Sequence, residues 1–142
     1  SRVARLARHL DLARKEAFSA QGMEPWEFDV LSVLRRAASP YSLTPGTLLQ
    51  ELLVSSGTMT NRIDRLEKKG LVKRTPSPHD RRAVLVTLTD LGVTRVDSAL
   101  KELLMRESEL LAPLDEDERK TLSALLRQLL LPFEGTPVRP LR

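Results

Sequence analysis

Apolar residues recur at helical spacing over most of the chain, in runs short enough to be read as separate amphipathic helices. Val3, Leu6, Leu10, Ala13 and Ala17 form the first stripe, with Arg2, Arg5, Arg8, Arg14 and Lys15 toward water and Gly22 as a stop. A second helix opens at Pro25, which a first turn tolerates, and runs through Trp26, Val30, Leu31 and Leu34 until Ala38 and Pro40. Tyr41-Ser42-Leu43 predicts a short strand. Thr44-Pro45 then reads as an N-cap and first residue of a short helix through Leu48, Leu49 and Leu52, and Val54-Ser55-Ser56 turns the chain into a fourth helix. Two helices joined by so short a turn predict a helix-turn-helix.

The fourth helix has the clearest two-faced pattern. Met59, Ile63 and Leu66, four and three apart, face inward and turn Thr58, Thr60, Asn61, Arg62 and Arg65 toward solvent. Ser55 or Ser56 can cap its first turn, and Gly70 suits the left-handed residue that ends it. Leu71-Val72-Lys73-Arg74 and Val84-Leu85-Val86-Thr87-Leu88 predict two strands, with turn chemistry in Thr75-Pro76-Ser77-Pro78-His79-Asp80-Arg81-Arg82 between them. The helix-turn-helix is therefore winged.

Two helices close the chain. One starts at Thr89 or Asp90 and carries Val93, Val96, Leu100, Leu103, Leu104 and Leu110 to about Ala112. The other starts at Asp115 and carries Leu122, Leu125, Leu126, Leu129 and Leu130. Neither has an obvious partner in so small a domain, and with Leu111, Leu114 and Leu131 they show more apolar surface than the winged core can cover. The fold class is mainly α with a small β-wing. Residues 1–22 and 93–133 are expected to dimerise around a winged helix-turn-helix at 23–92, all in one intertwined domain, with a flexible tail at 134–142. A self-contained helical layer within one subunit is the competing arrangement.

Charge sharpens the picture. Residues 61 to 82 hold eight cationic side chains against Asp64, Glu67 and Asp80, a net +5 where the whole chain of 142 residues is +4. Cations concentrated on one motif gather phosphates and release their counterions, and a solvated helix face with pairs such as Asp64 and Lys68 does not explain the basic hairpin that follows. Aromatic content of 4% speaks against base-stacking platforms for RNA or single strands, and so in favour of duplex DNA. There is no cysteine, hence no disulfide, thiolate metal site or thiol redox sensor. Without a signal peptide or a membrane-spanning apolar run, the expected location is cytoplasmic.

Asp115-Glu116-Asp117-Glu118 reads as capping and helix-dipole chemistry rather than a metal site, with Asp115 and Glu118 as a capping-box variant. His9 and His79 stand alone, so no metal is expected. The chain has no glycine-rich phosphate loop, no nucleophile elbow and no serine beside a plausible base, which implies no cofactor and no enzyme.

Leu66-Glu67-Lys68-Lys69-Gly70-Leu71-Val72-Lys73-Arg74, then Asp80-Arg81-Arg82, then Leu88-Thr89-Asp90-Leu91-Gly92, resemble the MarR family of bacterial transcription regulators. The resemblance implies a homodimer on a pseudo-palindromic operator, usually a repressor released by a small phenolic or other anionic ligand. It also implies that Ser56, Thr58, Thr60, Asn61 and Arg65 meet the major groove and that Asp80, Arg81 and Arg82 form the wing motif. Physically, Arg82 suits a narrow minor groove, while Asp80 either holds the wing by accepting hydrogen bonds or is a simple turn residue. A narrower similarity, to the urate-responsive branch, matches Asp29, Arg62 and Arg74 to a ligand site in which two arginines would clamp a planar anion. That branch also uses a tryptophan on an additional amino-terminal helix, a place Trp26 does not occupy. Asp29 has an alternative role, pairing with an arginine to fix the scaffold.

Two other classes remain open from sequence. One is a winged-helix protein-interaction module working through its leucine-rich helices. The other is an architectural DNA binder without sequence preference.

Overall fold

The structure, a computed structural model that describes residues 1–135, runs α1 (Arg2–Ser19), α2 (Pro25–Arg36), β1 (Ser42–Leu43), α3 (Pro45–Leu52), α4 (Ser56–Lys68), β2 (Val72–Pro76), β3 (Val84–Leu88), α5 (Asp90–Leu110) and α6 (Glu116–Leu130). A 3₁₀ turn at Leu131–Phe133 follows. The mainly helical chain with a small β-wing is what forms. From residue 136 onward, the tail anticipated at 134–142 lies outside the described residues.

Local side-chain chemistry starts the helices. Thr44 Oγ1 accepts the Thr47 amide at 3.2 Å, and Ser55 Oγ, rather than Ser56, accepts the Thr58 amide at 3.2 Å. Asp115 Oδ1 accepts the Glu118 amide at 2.8 Å while Glu118 Oε2 accepts the Asp115 amide at 2.9 Å, so the acidic run includes a reciprocal capping box. At the other end of α4, Gly70 turns to φ +72°, which lets the Leu71 amide reach back to the Leu66 carbonyl at 3.0 Å.

Several element ends differ from the sequence-based expectation. Strand β2 continues through Thr75 and Pro76, placed in the turn above, because they pair with Leu85 and Val84. The sheet order is β1-β3-β2, all antiparallel, so β2 is an edge strand whose last residue can be a proline. Helix α2 stops at Arg36, where Ala37 turns extended, and α5 stops at Leu110.

The core joins the carboxy-terminal half of α1, α2, the inner faces of α3 and α4, the sheet and the first part of α5. Phe18 and Phe28 stack at 4.3 Å at its α1–α2 seam. Here the expectation that neither closing helix has a partner is corrected for α5. It buries Val96, Ala99 and Leu103, an i, i+3, i+7 stripe, in the core. Arginines tie the same three helices from outside. Arg14 meets Asp29 at 3.0 Å, Arg106 meets Glu16 at 2.6 Å, and Arg35 grips both oxygens of Asp97 at 3.0 and 3.3 Å. The Asp97 hydrogen bonds raise the Arg35 guanidinium above its ordinary value by favouring its charged form. Helix α6 is different, since none of its residues is buried.

The entry to α5 depends on a missing side chain. Thr89 donates its hydroxyl to the Gly70 carbonyl at 2.6 Å and its amide to the Leu71 carbonyl at 3.1 Å, drawing the first turn of α5 onto the α4–β2 junction. A Cβ on Gly92 would collide with that Leu71 oxygen and lie 3.1 Å from both its carbon and Leu88 Cδ2. Gly→Ala inside a helix normally stabilises by about 1 kcal/mol. At Gly92 the obstacle is backbone that cannot rotate away, so Gly92→Ala should instead destabilise by about 1 to 2 kcal/mol in urea unfolding. A neutral or stabilised variant would show that the junction can open.

Candidate nucleic-acid interface

Helix α4 is divided sharply between an inner and an outer face. Met59, Ile63 and Leu66 are all at most 1% exposed, which fixes the roll of the helix about its axis. Ser56, Thr58, Thr60, Asn61 and Arg65 are exposed as a consequence. The wing follows α4 directly in the chain, with Asp80, Arg81 and Arg82 exposed at its tip.

Asp80 holds the wing tip as a turn residue does, by accepting backbone amides. Its Oδ1 accepts the Arg82 amide at 2.9 Å and its carbonyl accepts the Ala83 amide at 3.1 Å, so the tip is folded back on itself before any ligand arrives. The Ser77 amide closes the loop onto the Ala83 carbonyl at 2.9 Å. Neither Arg81 nor Arg82 is spent in an ion pair among the described residues.

Three of the eight cations counted between residues 61 and 82 stand in ion pairs, Arg65 with Glu24 at 3.5 Å and Arg74 and Lys69 more tightly. Arg74 hydrogen-bonds Asp64 at 2.5 Å and Glu67 at 3.0 Å, while Glu67 Oε2 also accepts the Arg74 amide at 2.8 Å, clamping β2 to α4. Lys69 Nζ lies 2.8 Å from both oxygens of Glu27, a carboxylate that is 1% exposed. The Glu27–Lys69 pair fastens the end of α4 to the start of α2, and nothing in the sequence singled it out.

Asp29, Arg62 and Arg74, matched above to a ligand site, do not converge. Asp29 is paired with Arg14, as in the scaffold alternative, and Arg62 lies 5.4 Å above the Trp26 ring. At about 100° per residue, Arg62 leaves α4 beside Arg65, roughly opposite Thr60, Asp64 and Glu67, where Arg74 is held. The two guanidinium groups therefore cannot close on one small anion in this conformation.

Trp26 of α2 meets the outer side of α4. Arg65 stands 4.9 Å from its ring centroid and 3.5 Å from Glu24, whose Oε2 also accepts the indole N–H at 2.5 Å. The pairing depends on how α2 packs against α4, and no spacing in the sequence reports that.

A capped helix with a polar, cationic outer face, reached through a short turn and followed by a basic two-stranded hairpin, defines a winged helix-turn-helix protein. A family model described as MarR family matches residues 21–83. The transcriptional regulator PecS of Dickeya dadantii is 36% identical over 124 residues, which span 87% of this chain and 75% of that protein. The multiple antibiotic resistance protein MarR of Escherichia coli is 39% identical over 106 residues, 73% of this chain and 71% of that one. Among solved structures, wild-type E. coli MarR in its apo form superposes with a TM-score of 0.77 at 33% identity, covering 90% of this chain and 93% of that one. A mutant E. coli MarR complexed with operator DNA gives a TM-score of 0.75 at 33% identity, with 90% of each chain covered. This chain belongs to the MarR family of transcription regulators.

Proposed function

We propose that the chain is a homodimeric, sequence-specific binder of duplex DNA that represses transcription from a pseudo-palindromic operator. The observation that carries this reading is the fixed roll of α4, which leaves Ser56, Thr58, Thr60, Asn61 and Arg65 exposed on the helix that runs directly into the basic wing. A helix of this width enters the major groove, where small polar side chains and a guanidinium can reach base edges, while Arg81 and Arg82 suit the backbone or the adjacent minor groove. Two such heads are needed for a symmetric site, and the apolar residues of α6, the closing turn and the start of α1 supply the surface to join them. Residues 23–92 would then read DNA, and 1–22 with 93–133 would dimerise, α5 serving both. No helix among the described residues is long and apolar enough to cross a membrane. The proposed role is a cytoplasmic, non-enzymatic one, in line with the transcription regulators the chain resembles.

Selection of binding sites from a random duplex library at physiological salt tests this reading. An enriched inverted repeat is the expected result. Binding without enrichment would favour the architectural alternative, and no binding would favour the protein-interaction module. With Arg74 and Lys69 committed internally and Arg65 paired with Glu24, five cations of the segment remain for phosphates, so log affinity should fall with log salt at about −0.9 for each phosphate neutralised. Arg82→Ala should reduce that slope by about one and weaken binding to all duplexes alike, with the oligomeric state unchanged in sedimentation. Unchanged affinity would remove the wing from the reading.

The release of the repressor by a small anionic or phenolic ligand is part of the proposal, with Arg74 as its first candidate contact and Asp29 and Arg62 joining it only after a rearrangement of the present conformation. A planar anion that captured Arg74 would compete with Asp64 and Glu67, free β2 from α4 and so discriminate between two positions of the wing. Urate and related planar acids titrated against the operator complex should release DNA below millimolar concentration. No release at that level would sink this part.

A further inference from the structure

We propose that Trp26 is the specificity-determining positioning residue of the reading helix: its indole, held by Glu24, is a shelf that fixes the Arg65 fork for one base edge. The inference rests on the DNA-reading role of α4. Arg62 and Arg65 are three apart, so they leave α4 on one side and reach the same ring, at 5.4 and 4.9 Å from its centroid. Tryptophan is the aromatic side chain that attracts guanidinium most strongly, and this is the only one in the chain. The shelf is itself anchored: Trp26 packs partly buried against the core, and its N–H donates to Glu24 Oε2. The same carboxylate oxygen lies 3.5 Å from Arg65 Nη2, so ring and carboxylate hold Arg65 from two directions.

An unsupported arginine on an exposed helix samples many rotamers and pairs with whichever phosphate is near. Held over the ring, with its side chain still 51% exposed, the Arg65 fork loses that freedom before DNA arrives. The base edge that matches such a fork is guanine, with its O6 and N7 acceptors side by side in the major groove. Trp26 touches no base in this arrangement. It decides whether Arg65 reads guanine or merely adds a charge.

The test compares sites selected from a random duplex library by the full chain and by Trp26→Leu, Trp26→Phe, Glu24→Gln and Arg65→Ala. The unaltered chain should enrich an inverted repeat with guanine at one symmetric pair of positions. Trp26→Leu should lose about fivefold to tenfold of the discrimination at those positions only, with non-specific affinity and salt slope unchanged. Trp26→Phe, which keeps a ring, should restore most of it, and Glu24→Gln, at an exposed site, should relax the same positions. In an Arg65→Ala background, Trp26→Leu should add nothing. Equal discrimination by Trp26→Leu and the unaltered chain would overturn the proposal, as would a proportional loss on all duplexes, which marks a merely structural role. If the unaltered chain itself enriched no site, the operator reading would fall first and this inference with it.

Discussion

Leu126→Arg should turn the dimer into a folded monomer that no longer holds its operator. Leu126 is 45% exposed in the single chain and lines, with Leu6, Leu10, Leu110, Leu122 and Leu130, an apolar groove of about 510 Å³ between α1, α5 and α6. Around it, Arg119 and Arg127 balance Glu107 and Glu134, so the groove offers a new cation no net attraction. In the monomer the introduced guanidinium stays in water, and the winged core is unaffected because α6 contributes no buried residue to it. In the proposed dimer it would be desolvated without a partner, twice over by symmetry, at a cost of several kcal/mol. The dimer dissociation constant should rise by about a thousandfold or more. Sedimentation at micromolar concentration should show one monomer-sized species with an unchanged far-ultraviolet spectrum. Operator affinity should fall by about a hundredfold or more, since the second head no longer binds at high effective concentration. A variant that stayed dimeric would place the interface elsewhere.

The second large effect is expected at Lys69→Met. The change removes the cation from a carboxylate that is 1% exposed, leaving Glu27 with only the Glu24 amide, 3.2 Å from Oε1. Breaking a fully buried ion pair on one side costs about 3 to 5 kcal/mol. The Lys69 side chain is 44% exposed, so water can replace part of its contribution, and about 2 kcal/mol is the expected loss in urea unfolding. The double variant Glu27→Leu/Lys69→Met removes both charges and should lie closer to the unaltered protein than Lys69→Met alone. Equal cost for single and double variants would mean that the two groups are not coupled. The pair also sets where the end of α4 sits relative to α2, so Lys69→Met should weaken operator binding more than its exposed position implies.

Which residues pair could be anticipated only over short distances along the chain. Thr44, Ser55, Thr89 and Asp115 cap their helices by binding amides three residues on, and Met59, Ile63 and Leu66 declare a buried face within three turns. Such features depend on neighbours that the backbone necessarily brings together. The same locality makes the Gly70 reversal and the hairpin legible from residue types alone. Even the misjudged end of β2 was a local ambiguity, since Pro76 is acceptable both in a turn and at the tip of an edge strand.

Charge could be counted from the sequence but not allotted. Eight cations between residues 61 and 82 were visible, whereas the commitment of Lys69 to Glu27 links positions 42 apart, and the ties of Arg35 to Asp97 and Arg106 to Glu16 span 62 and 90. Long cationic side chains reach any acid that packing brings near, and packing is a property of the assembled core. For that reason the ligand contacts expected at Asp29, Arg62 and Arg74 turned out to have separate partners, and the place of Trp26 under the reading helix went unseen. Helix α5 looked unpartnered because its stripe does not name the surface it meets. The local code thus specified the helices, their caps, the outward face of α4 and the basic wing. The packing of α2 against α4 and α5 then settled which of those charges remain for a partner, because burial and long-range pairing arise only once distant segments share one core.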